Sequence, residues 1–118
     1  MTIDVDIWLR GQDSATTRSI RGIEREPRAW TDDDVRAVLQ GMLAEMQRAK
    51  HPAREETHIA LRGLSWIVNP FESGGVVIAI EITLGAAVSG PFEIEQGVLE
   101  QMIERVLTPI TPISTTVH

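Results

Sequence analysis

Cysteine is absent from this chain of 118 residues, which removes disulfides, thiolate nucleophiles and sulfur-ligated metals together. Histidine is scarce, at His51, His58 and His118 alone. Long apolar runs are missing as well. A spanning helix needs roughly 18 to 20 apolar residues, and the longest apolar stretch is broken by Glu81, Thr83 and Gly85. The first residues, Met1-Thr2-Ile3-Asp4-Val5-Asp6, offer neither a basic beginning nor the apolar h-region of a secretion signal. These absences lead us to expect a soluble, cytoplasmic protein with no membrane segment.

Positive charge is the next shortage. The formal net charge is −6, and residues 59–118 hold two arginines against six glutamates, whereas residues 1–30 balance five arginines with five acids. An acidic C-terminal half repels phosphate backbones, so broad nucleic-acid binding is disfavoured. All but one of the eleven basic residues are arginine, a bias that a GC-rich coding sequence explains as readily as a need for bidentate anion contacts.

What is present is ordinary globular material: 42% hydrophobic and 24% charged residues, in a chain of the usual size for one domain. Strict alternation in Ile3-Asp4-Val5-Asp6-Ile7-Trp8-Leu9-Arg10 predicts a strand with Ile3, Val5, Ile7 and Leu9 on its buried face. A second strand is expected within 16–26. Thr31 followed by Asp32, Asp33 and Asp34 has the chemistry of a helix start. Behind it Val35, Val38, Leu39, Met42, Leu43 and Met46 form one helical stripe, which should end before Pro52.

An extended run from His58, with a phase change suggesting a bulge at Gly63, pairs as a hairpin with Val76 to Leu84. In that second strand Val76, Ile78, Ile80, Ile82 and Leu84 face one way, and Val77, Ala79, Glu81 and Thr83 the other. Gly85 to Gly90 reads as a small-residue connection, with Pro91 in the first turn of a helix whose stripe is Val98, Leu99, Met102, Ile103, Val106 and Leu107. The expectation is an α+β two-layer sandwich in ββαββα order, with a four-stranded, mainly antiparallel sheet and two helices on one face. Residues 1–108 form one α+β domain and 109–118 a flexible C-terminal tail. Matching runs, Ile7-Trp8-Leu9-Arg10-Gly11 against Ile59-Ala60-Leu61-Arg62-Gly63 and Val38-Leu39 with Met42-Leu43 against Val98-Leu99 with Met102-Ile103, hint at two ββα halves. Shared packing demands account for them more simply.

No catalytic constellation is visible. Gly63-Leu64-Ser65 supplies only the first half of a nucleophile elbow. Glu55, Glu56 and His58 lack metal-ligand spacing, and the Asp32 to Asp34 run is explained by capping. Neither a metal nor a cofactor is expected. Arg18, Arg21, Arg25 and Arg28 would line one stripe of a helix and are the candidate anion-binding residues, although Gly22, Pro27, Glu24 and Glu26 argue for a solvated strand and loop. Glu81, alone in the most apolar strand, is the polar group around which a small-molecule pocket could form.

Two helices on one side leave the other side of the sheet uncovered. Trp8, Trp66, Val77, Ala79 and Glu81 are the candidate interaction-face residues there, apolar groups within a polar rim. The leading expectation is a non-enzymatic module that self-associates, as a homodimer, or binds another protein. A small-molecule binder or small enzyme using Glu81 is the alternative.

Overall fold

The computed structural model describes residues 2–52 and 61–108. Strand β1 (Ile3–Leu9) follows its alternation, burying Ile3, Val5, Ile7 and Leu9. Strand β2 (Thr16–Ile20) pairs with it antiparallel, Val5 opposite Arg18. An extended segment with buried Ile23 then leads through one 3-10 turn at Pro27–Ala29 to buried Trp30.

Helix α1 (Asp32–Lys50) begins as its sequence predicts. The Asp34 N–H donates to the Thr31 hydroxyl, and the Thr31 N–H donates to the Asp34 carboxylate at 2.9 Å, a reciprocal capping box. Gly41 allows α1 to approach the sheet closely, since a Cβ there would lie 2.8 Å from the Ile20 side chain. The helix ends before Pro52.

Strands β3 (Ser65–Pro70), β4 (Val76–Ile82) and β5 (Gly85–Phe92) follow, then helix α2 (Gln96–Leu107). All pairs are antiparallel and the sheet order is β2-β1-β5-β4-β3. Among the described residues the chain is therefore an α+β fold with five strands in ββαβββα order, not four in ββαββα order. The extra strand is the segment expected to be a connection. Gly85, Ala86, Ala87, Ser89 and Gly90 have weak strand propensity, yet β5 is the middle strand, where neighbours on both sides supply its hydrogen bonds. Its small residues fit what surrounds them: Ala87 is fully buried, and a Cβ on Gly85 would lie 2.1 Å from the Trp8 carbonyl oxygen. Ser89 is buried too, its hydroxyl donating to the Asp4 carbonyl at 2.7 Å.

Other expectations shift with β5. Pro91 lies in that strand and not in a helix, and α2 starts at Gln96. Gly63 occupies the bend before β3 (φ +72°), while the register shift falls between Val76 and Ile78. The matching run at Ile59 and Ala60 and the metal candidates Glu55, Glu56 and His58 lie outside the described residues, as does 109–118. Among the described residues the second half contains three strands where the first has two, so the ββα halves do not correspond element for element.

Both helices pack on the face that carries Val5, Ile7, Ala87, Ile78, Ile80 and Val68, and these join Val35, Leu39, Met42, Met46, Leu99 and Ile103 in one core. Trp30 packs against Phe92 at its margin in a tilted pair, centroids 4.9 Å apart and planes at 60°. Arg105 near the end of α2 donates twice to Asp32 at the start of α1, at 2.9 and 2.8 Å. Each charge also suits its helix end. The Arg105 hydrogen bond holds the Asp32 carboxyl below its ordinary range. Asp34 is likewise held low, first by the backbone donor of Thr31 and then by Arg25.

Candidate interaction face

Residues paired directly across an antiparallel sheet share a face, so the register reads out the side turned away from the helices. One row runs Trp8, Ala86, Glu81, Ser65, and the next Thr17, Asp6, Val88, Ala79, Ile67. Asp4 with Ser19, and Val77 with Asn69, continue it below. Among the described residues, neither helix lies on this side. Trp8 is 42% exposed and Ile67 51% exposed. Val77, Ala79, Ala86 and Val88 are half-buried, shielded only by their neighbours in the sheet. The result is an apolar band over β5, β4 and β3, bordered by Asp4, Asp6, Thr17, Ser19, Glu81, Ser65 and Asn69.

Four of the five expected face residues, Trp8, Val77, Ala79 and Glu81, occupy this side. Trp66 does not. It lies opposite Ile80 and packs against the core on the helix side, because β3 begins at Ser65 in a phase that turns Ile67 outward. Ile67 is the residue that sequence reasoning missed. Its signal was present in the alternation of Trp66, Ile67 and Val68, but assigning a face required the β3–β4 register.

Polar side chains on the acidic margin are held by neighbours. Thr17 donates to Asp6 at 2.7 Å and Ser19 to Asp4 at 3.2 Å. Arg10, just past β1, donates through Nε to the Thr83 carbonyl at 3.1 Å. Ser65 lies opposite Glu81 in an exposed strand position, with none of the turn geometry of a nucleophile elbow.

The arginine series forms no helical stripe. Arg18 lies in β2 and donates to buried Glu45 at 2.7 Å, and Arg48 pairs with the same carboxylate. Arg25 pairs with Asp34 and Arg28 with Glu93. Three of the four are thus committed to structural ion pairs that tie β2 and the following segment to α1 and to the end of β5. Arg18 and Arg21 do share an open cleft of about 450 Å³ with Thr17, Ser19, Glu45 and Arg48. A second cleft, about 390 Å³, lies between Ile3, Asp4, Glu26, Pro27, Pro91 and Glu93. Neither is lined by Glu81, whose carboxylate stands in solvent on the sheet face. Among the described residues no three His, Asp or Glu side chains gather as a metal-binding group, and no helix is long and apolar enough to cross a membrane.

No family model matches the chain, and neither the curated proteins nor the solved structures contain one significantly similar to it.

Proposed function

We propose that this chain is a non-enzymatic association domain whose working surface is the open face of its sheet. The observation that carries the reading is the apolar band of Trp8, Ile67, Val77, Ala79, Ala86 and Val88 inside a polar rim, the composition expected of a protein contact.

Two further features direct association to the face and away from the sheet edges. On the β3 edge, Pro70 has no N–H to offer, and the Gln96 side chain donates to the Val68 carbonyl at 2.9 Å. On the β2 edge the strand is five residues long, polar, and carries Arg18. Short, charged or proline-bearing edges discourage strand addition. The size of the face sets the strength. Five strands about 4.8 Å apart, covered over some 20 Å of their length, present on the order of 500 Å². That falls below the roughly 800 Å² per partner of a standard interface, so the contact is a weak, exchanging one.

Site-specific photo-crosslinking in the native host tests the reading. A photoreactive residue at Ile67 or Val88 should give discrete protein adducts, while one at Glu104 on exposed α2 should not. Equal yields at the three positions would refute the assignment.

A further inference from the structure

We infer that the partner for this face is a different protein presenting an apolar surface rimmed by lysine or arginine, and not a second copy of the chain. The inference rests on the association reading above and concerns what can lie on the face without stranding charge. Asp4, Asp6 and Glu81 project on the open side, where Arg10 follows Trp8 in the alternation of β1. Asp6 stands directly beside Val88, and Glu81 directly beside Ala86. Any surface that covers the apolar band therefore desolvates carboxylates as well, and that is costly unless each gains a cationic or donor partner.

A second copy does not supply a partner for every one of these carboxylates: where an axis across the strands, centred on the row of Trp8, brings Arg10 onto Asp6, it also sets Glu81 on Glu81. In the aligned class of sheet stacking the strands stay within about 30° of one another, so a two-fold axis between such copies runs along the strands or across them. An axis along β5, the middle strand, lays β1 of one copy over β4 of the other. Asp6 then sits on Ala79, Asp4 on Val77, and Trp8 on Glu81. An axis across the strands lays each strand over its own copy. Centred on the row of Asp6 it sets Asp6 against Asp6; centred one step higher it sets Asp6 against Trp8 and Glu81 against Ala79. Each arrangement buries carboxylates against apolar groups or like charge, and the −6 net charge of each chain adds long-range repulsion. A partner with basic residues around an apolar centre meets the same geometry with opposite charge.

The test uses the purified full-length chain and two short helical peptides, one with a leucine face flanked by lysines and one with the same face flanked by glutamates. Titrations are followed by Trp8 fluorescence and by calorimetry. The lysine peptide should bind at least about tenfold more tightly than the glutamate peptide, and more weakly as salt rises. Reversing Asp4, Asp6 and Glu81 together to lysine should invert the preference. Reversing Asp13, Glu24 and Glu104, which alters net charge equally away from the face, should leave most of it. Thermal melts confirm that both triple variants fold. Sedimentation of the wild type should show a monomer up to about 500 µM, a concentration at which a dimer of micromolar Kd would be almost fully formed.

Dimerisation that Ile67→Lys abolishes would overturn the partner chemistry while preserving the face as an association surface. Equal binding of the two peptides, or an equal effect of the two triple reversals, would overturn it too. Absence of any peptide binding, together with absence of adducts at Ile67 and Val88 in the host, would remove the association reading itself.

Discussion

Truncating Ile78 and Ile67 to alanine, one at a time, separates the two faces of the sheet by energy. Both residues lie in paired strands, but Ile78 is fully buried under the helices and Ile67 is 51% exposed. Isoleucine to alanine removes three carbon atoms, worth about 0.8 kcal/mol for each buried methylene, or roughly 2.4 kcal/mol at Ile78. The cavity left in the core raises this to about 3–4 kcal/mol. At Ile67 half of the side chain is already wet and no closed cavity forms, so the loss is about 1 kcal/mol. At roughly 4–6 °C per kcal/mol for a domain of this size, Ile78→Ala should lower Tm by some 12–24 °C and Ile67→Ala by about 5 °C. Urea or thermal unfolding monitored by the fluorescence of Trp30, buried against Phe92, measures both. Equal losses at the two positions would mean that the face called open is covered in the folded chain, and the proposed function would fall with it.

Further outcomes follow from the same contacts. Thr31→Ala removes one half of the capping box and should cost about 1 kcal/mol in urea unfolding, with Thr31→Ser retaining most of the stability. Gly85→Ala forces a Cβ against the Trp8 backbone, where no side chain can move aside; it should exceed about 3 kcal/mol or abolish folding, as read by thermal melting. Glu45→Ala removes the carboxylate shared by Arg18 and Arg48, and because those arginines are more than a third exposed the cost should stay near 1–2 kcal/mol in the same assay. Asp32 and Asp34 titrate below their ordinary range in the folded chain. Their contribution is therefore complete above the unfolded carboxyl pKa and is lost as pH falls through the folded values. Asp32→Asn and Asp34→Asn should each flatten the fall of Tm on acidification below about pH 4, and unchanged slopes would contradict the assigned pairs.

Periodicity alone located β1, β4 and both helices, because their side chains alternate or recur strongly enough to define a buried face without knowledge of the neighbours. The start of α1 was equally legible, since Thr31 and Asp34 act on backbone groups three residues away. Four residues of the open sheet face followed from the same alternation. Tertiary structure decided the rest. Gly85–Phe92 is a strand because it fills the slot between β1 and β4, where ladder hydrogen bonds and close packing outweigh the weak propensity of its glycines and alanines. Trp66 lies on the helix side and not on the expected open face because side-chain direction in a strand reverses with a shift of a single residue, and only pairing of Trp66 with Ile80 and of Ile67 with Ala79 fixes that phase. Arg18, Arg25 and Arg28 became structural ion pairs because their acids, Glu45, Asp34 and Glu93, lie in other elements, 27, 9 and 65 residues away, and are brought beside them only by the fold. Local chemistry thus determined which segments are regular and which side of each is apolar. Long-range pairing determined which apolar side was left uncovered.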